Sequence, residues 1–178
     1  MAESSTTQQD FIGTWQINHT RSDDFEPFLA EVGAPWLIRK VAKRGNAQLT
    51  LTLPEEGKVT LLRKTMVFTK QEEYILNELC TFSSPMGDSV SLWAWRAPHF
   101  IARGPLPASG KIGPRVVQSE YAIGSHEGQP ELVITITVIE HELGGEADQA
   151  ALLAGLSTDG VLPGTQRLSL RRVFSRVP

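Results

Sequence analysis

Residues 11–42, FIGTWQINHTRSDDFEPFLAEVGAPWLIRKVA, place one strand ahead of two short helices, and beyond them the chain turns almost wholly to strand patterns. Few architectures accommodate that order. A lone helical pair ahead of a run of strands suggests a lid over one end of a closed sheet, which would make the protein a container. An amphipathic helical hairpin packed on an ordinary sheet fits the same pattern. Phe11, Trp15 and Ile17 fall on one parity, with Gly13 between them to allow a bend or a close approach. Ser22, Asp23 and Asp24 offer N-cap side chains, and Glu26 complements the helix dipole in the first turn, where Pro27 is tolerated. Phe25, Phe28, Leu29 and Val32 recur at helical spacing, and Gly33 is a natural stop. Pro35 opens the second helix, to which Trp36, Leu37 and Val41 give an apolar side. These signals place helices at 24–32 and 35–43.

The rest reads as an antiparallel meander. AQLTLTL (47–53) alternates cleanly and turns through Pro54–Gly57 into KVTLLRKTMVFTK. A polar connection near Lys70–Glu72 precedes EYILNELCTF, and DSVSLWAWRA follows a Pro-Met-Gly turn. Residues 98–114 hold four prolines and three glycines, which predicts a long loop rather than a central strand. RVVQSEYAI and ELVITITVIE form a hairpin across Gly124–Pro130, and TQRLSLRRVFSRV is the closing strand. EADQAALLAGL (146–156), bracketed by glycines, is a further short helix. Residues 1–10 read as a flexible polar tail and residues 11–178 as one domain, a length that supports a sizeable core.

Bulk properties exclude several classes. Hydrophobic residues at 40% and charged residues at 21% describe a globule rather than a disordered chain. A net charge of −3 leaves no electrostatic footprint for nucleic acid. No apolar run is long enough for a transmembrane helix. MAESSTTQQD has neither the basic region nor the apolar core of a signal peptide, and the lone Cys80 forms no internal disulfide, so a cytoplasmic setting is expected. Glu140-His141-Glu142 alternates faces on a strand and does not converge on a metal. No metal and no cofactor are expected, and the oligomeric state is not legible.

Strand parity sorts the polar candidates. Arg172 shares a parity with Leu168, Leu170 and Phe174, and a guanidinium on an apolar face needs an anion. A ligand carboxylate or an internal acid would serve, and a bulge would instead turn the side chain outward. Glu78 falls with Tyr74, Leu76, Cys80 and Phe82. Arg96 falls with Val90, Leu92 and Ala94, opposite Trp93 and Trp95. A buried carboxyl with a raised pKa is a candidate general acid or base, which makes Glu78, Arg96 and Tyr74 the catalytic candidates; an ion pair lining a polar cavity explains the same residues.

GTWQI followed by DDFEPFLAEVGAPWLIRKVA resembles the opening of the intracellular fatty-acid-binding proteins, members of the calycin group. Phe25, Glu31-Val32-Gly33 and Arg39-Lys40-Val41-Ala42 match in order and spacing, with about two extra residues between the strand and the first helix, and the likeness returns in RRVFSRV. The resemblance implies an all-β chain with a small helical lid: an up-and-down antiparallel β-barrel with a helix-turn-helix after the first strand. The helix at 146–156, before the last strand, would then be an insertion. It implies a carrier of a fatty acid or other lipophilic small molecule. Arg172 would hold the headgroup, with Phe174 where the family usually has a tyrosine. Gln118 or Ser119 would stand at the second headgroup position, and Phe28, Leu29, Trp36 and Leu37 at the lid. Two alternatives remain on this scaffold: an isomerase, cyclase or lyase acting on a hydrophobic substrate, and a binder of a tetrapyrrole or other chromophore.

Overall fold

The alternating segments assemble into one sheet of ten antiparallel strands, seen in a computed structural model that describes residues 6–66, 68–82, 89–106, 115–140 and 164–178. Along the chain come β1 (Gly13–Ile17), α1 (Glu26–Glu31), α2 (Trp36–Arg44), β2 (Gln48–Thr52), β3 (Lys58–Lys64), β4 (Thr69–Ile75) and β5 (Leu79–Phe82). Then follow β6 (Ser89–Arg96), β7 (His99–Leu106), β8 (Arg115–His126), β9 (Gln129–Glu140) and β10 (Thr165–Arg176). The spatial order is β4-β3-β2-β1-β10-β9-β8-β7-β6-β5, so each strand pairs with its sequence neighbour except β4 with β5, and the first strand pairs with the last. This is an up-and-down barrel with a helical lid.

Its two edges, β4 and β5, meet through the turn at 76–78 rather than through a full ladder. The Asn77 amide donates to the Trp93 carbonyl at 2.6 Å, and the Tyr74 ring stacks on Trp93 at 4.8 Å. Aromatic side chains thus close the wall where backbone pairing lapses.

The inner face follows strand parity. Trp15, Leu51, Val59, Leu61, Trp93, Phe100, Leu132 and Val138 are almost wholly buried, each contributed by alternate positions of its strand. A short 3-10 helix, Gln8–Phe11, closes one end, capped by the Asp10 carboxylate accepting from the Thr7 amide at 2.7 Å. Phe11 sits edge-on to Trp95 and Phe100 at 5.8 and 5.1 Å, and its carbonyl accepts from the Trp15 indole at 3.0 Å. The stretch read as tail therefore ends in a plug, and β1 starts at Gly13 rather than at Phe11. Gly13, at φ +139°, brings the Arg176 guanidinium to 3.3 Å from where a Cβ would stand. That guanidinium lies over the Trp15 ring.

Two strand boundaries differ from the sequence reading. The connection between β3 and β4 falls at 65–68, so Lys70–Glu72 lies inside β4 instead of between strands. EYILNELCTF is not continuous: it breaks at 76–78, where Asn77 takes φ +66°. The first half of the Pro-rich stretch is β7, not loop. Pro98 sits in the turn before it, and Pro105 lies near its end, opposite Val116 of β8. Proline is tolerated there because a strand end demands few ladder bonds. The rest of that stretch and the helix expected at 146–156 lie outside the described residues.

The residues before α1 are held by the closing strand. Asp23 accepts from the Arg171 amide at 2.6 Å, and Ser22 Oγ accepts from the Val173 amide at 2.9 Å. The Asn18 amide donates to the Val173 carbonyl at 2.8 Å. Ser22 and Asp23 therefore bind β10 instead of capping the helix, and the Asp24 carboxylate accepts from the Glu26 amide at 3.0 Å in the turn that leads into α1. Ser22→Ala is expected to lower stability by about 1–2 kcal/mol, since the hydroxyl both accepts from the Val173 amide and donates to the Asn18 carbonyl, and both half-buried bonds are lost. A urea melt unchanged from wild type would show that this tether contributes nothing.

Candidate functional site

α1 and α2 lie over the end of the barrel opposite the plug. α1 stops at Gly33, which takes φ +75° and gives the Ala34 amide to the Leu29 carbonyl at 2.8 Å. α2 turns Ile38, Val41 and Ala42 downward at helical spacing, with Gly45 just beyond its end on the same side. Between this lid and the β3–β4 turn lies a cavity of about 230 Å³. Phe25, Phe28 and Leu29 line it from the first helical segment, Ile38, Val41 and Ala42 from the second, and Met66 and Phe68 from the turn. One charged side chain joins this apolar lining: Arg172.

Arg172 is 7% exposed. Its guanidinium stacks on Phe25 at 4.1 Å and lies 6.0 Å from Phe174, and Phe25 stacks in turn on Phe28 at 5.0 Å. Its Nε is buried without a hydrogen-bond partner, and no carboxylate among the described residues pairs with it. Burial alone pulls its pKa down, to about 10, so it stays cationic at neutral pH. An unpaired cation in an apolar pocket with spare N–H donors is a receptor for an anion.

A second polar group stands deeper in the barrel. Arg63 of β3 and Lys70 of β4 are cross-strand partners on the inner face, and Glu72 and Tyr74 follow on that face of β4. Glu72, 6% exposed, accepts from Arg63 and from the Tyr74 hydroxyl at 2.9 Å on one oxygen, and from Lys70 at 2.8 Å on the other. Burial opposes ionisation of Glu72, yet Arg63, Lys70 and Tyr74 outweigh it and hold the carboxyl below the usual range. Arg63 also hydrogen-bonds Tyr121 of β8, on the opposite wall. Burial pushes the Tyr74 and Tyr121 phenols up, so both stay neutral.

The lid is tied down electrostatically. Glu31, at the end of α1, pairs with Arg115 at 2.7 Å and with Arg167 at 3.3 Å, and Arg167 reaches Glu140 at 2.7 Å. α2 is joined to the segment before it by Lys43–Asp24 at 2.8 Å and Lys40–Glu26 at 3.0 Å.

The residues expected from sequence divide cleanly. Arg172 and Phe174 face inward, and Phe28 and Leu29 line the cavity. Trp36 and Leu37 do not: they are 62% and 64% exposed, because the downward stripe of α2 runs through Ile38 and Val41. Gln118 faces out, accepting from Arg103 at 2.9 Å, since β8 turns its odd-numbered residues inward; Ser119 and Tyr121 are the inner positions. Glu78 lies exposed in the β4–β5 turn, not on the Tyr74 face, because the strand breaks before it. Arg96 is exposed on the outer face, since Trp93 and Trp95 take the inner one. Tyr74 alone of the three catalytic candidates is inside. Arg63, Glu72 and Tyr121 were missed, although Val59-Leu61-Arg63 and Glu72-Tyr74 each fall on one parity and could have been found by the test that found Arg172.

Comparison with known proteins identifies the architecture. The Echinococcus granulosus fatty-acid-binding protein 1 superposes with a TM-score of 0.67 at 18% identity, over 96% of this chain and 100% of that one. The fold is that of the fatty-acid-binding proteins. A Schistosoma mansoni fatty-acid-binding protein in complex with arachidonic acid superposes with a TM-score of 0.64 at 13% identity, over 95% of this chain and 97% of that one. The fluorescent protein UnaG gives 0.65 at 12% identity, over 96% of this chain and 100% of that one. No family model matches the sequence, and no curated protein matches it. The lid cavity and Arg172 lie beneath the two helices, and the Arg63–Glu72 group lies on the inner face of β3 and β4.

Proposed function

We propose that the protein is a carrier of a lipophilic acid, binding one molecule inside the barrel with its anionic group against Arg172, in the cytoplasm. The observation that carries this reading is the buried guanidinium without an acid among the described residues, set in a cavity of phenylalanine, leucine, isoleucine and methionine. Those two features ask for complementary parts of one molecule. The apolar walls gain about 25 cal/mol for each Å² of hydrocarbon they cover, and the cation gains a charge-assisted hydrogen bond. Fold neighbours named as fatty-acid-binding proteins support the class of ligand, while Phe174 withholds a hydroxyl from the headgroup and leaves the anion to Arg172.

The test is calorimetric titration of delipidated protein with hexadecanoic acid and with hexadecanol. Stoichiometric binding of the acid, at least tenfold tighter than the alcohol, is expected, because a charged hydrogen bond contributes about 1.5–3 kcal/mol. Equal affinity for the two would refute a headgroup role for Arg172, and no binding of either would refute the carrier reading.

A further inference from the structure

We propose that Arg63 and Lys70 form a second anion station inside the barrel, and that the preferred ligand is a lipid carrying an acidic group at both ends. The proposal deepens the carrier reading and rests on it. Its basis is the balance of charge on the inner face. Among the described residues below the lid rim, that face carries Arg63, Lys70, Arg172 and, at the plug end over Trp15, Arg176 as cations, and Glu72 as the one carboxylate. One carboxylate between two cations leaves the group on β3 and β4 with a surplus positive charge, separate from that at Arg172.

The donors are not used up. Glu72 is saturated, with one oxygen on Lys70 and the other on Arg63 and Tyr74. An ammonium has three N–H donors and a guanidinium five. Glu72 takes one from each, and the phenol oxygens account for only part of the Arg63 remainder. Arg63 lies on the inner face, yet a third of its side chain stays accessible. Lys70, 36% accessible, lies beside it with the Phe82 ring 5.8 Å from its ammonium. Burying surplus charge is costly unless an anion joins it.

The spacing suits one molecule touching both stations. Tyr121, which receives Arg63, is the cross-strand partner of Ile134, and Ile134 is the partner of Arg172. Two interstrand steps along that row, on the order of 10 Å, separate Arg172 from Tyr121, the residue that Arg63 reaches across the barrel. Trp93 packs against both Tyr74 and Tyr121 at 4.8 Å, giving an aromatic wall beside the deeper station.

The experiment compares dodecanoic and hexadecanoic acids with their α,ω-diacids by calorimetry on delipidated protein. Wild type is expected to prefer a diacid by about tenfold or more, the worth of one charge-assisted contact. Arg63→Met and Lys70→Met should each bring that preference toward parity while leaving monoacid affinity in place. Lys70 lies on an edge strand, so its variant keeps the test open should Arg63→Met fail to fold by circular dichroism. Monoacid binding without diacid preference overturns this proposal and leaves the carrier reading standing. Failure of all four acids to bind overturns both. A diacid preference that survives both variants places the second acid elsewhere and overturns the assignment to Arg63 and Lys70.

Discussion

Arg172→Met is expected to make the empty protein more stable and at the same time to weaken its hold on a lipophilic acid by about tenfold to a hundredfold. Both effects come from one cause. Burial lowers the Arg172 pKa to about 10 with no compensating acid, so folding carries the cost of a desolvated charge. At about 1.4 kcal/mol for each tenfold change in proton affinity, that cost is roughly 3 kcal/mol. The stack on Phe25 returns about 0.5–2 kcal/mol, so removing the charge while keeping the volume should leave a net gain of about 1–2 kcal/mol. The group is a cation whose folded pKa is depressed, so its penalty is fully present below about pH 10 and lifts only above it. The gain should therefore be the same at about pH 6 and about pH 8. Urea melts of ligand-free protein, followed by the fluorescence of its four tryptophans, read it directly. A variant less stable than wild type at both pH values would mean that Arg172 has an acidic partner in the empty protein, and the carrier reading would lose its principal support.

How far the sequence reached depends on which kind of signal each residue left. Strand parity found Arg172, because β10 runs regularly from Leu168 to Phe174 and an arginine there breaks an apolar row. The same rule failed for Glu78, since it presumes an unbroken strand and the turn at 76–78 resets the count. The family resemblance left Gln118 and Ser119 open for the second headgroup position, and one residue in a period of two is the whole difference between solvent, where Gln118 lies, and the inner face, where Ser119 lies. On helix α2 the sequence shows the apolar residues but not the phase: Ile38 and Val41 make the lid contacts, and Trp36 and Leu37 face outward. The order of one strand, two helices and a meander was legible because glycine, proline and hydrophobic spacing act locally. The cluster of Arg63, Glu72, Tyr74 and Tyr121 is the opposite case. Its members come from β3, β4 and β8, and only closure of the sheet brings β3 across from β8. Proline content misled at β7 because proline is excluded from strand centres, not from their ends.

That cluster yields the other large effect. Glu72→Gln is expected to cost about 2–4 kcal/mol at neutral pH, because it leaves Arg63 and Lys70 side by side inside the barrel with no countercharge. The amide keeps the shape and can still accept from one donor, so the loss measures charge rather than packing. The pH dependence follows from the lowered pKa of Glu72. A carboxyl depressed in the folded state contributes stability above its unfolded value of about 4.5, and that contribution is lost as pH falls through the folded value. Wild type and variant should therefore differ most near neutral pH and converge only as pH falls through the lowered folded value in urea melts. Coincident melts at pH 7 would show that the two cations need no counterion, and would remove the reason for expecting a second anion there. Binding should move the other way. With the internal carboxylate gone, both cations are left for the ligand, so the variant's preference for an α,ω-diacid over the monoacid should exceed that of wild type. The diacid should also restore part of the lost stability, since a ligand that binds only the folded state raises stability in step with its concentration over its Kd. Loss of stability without that restoration would mark Glu72 as part of a structural ion pair and nothing more.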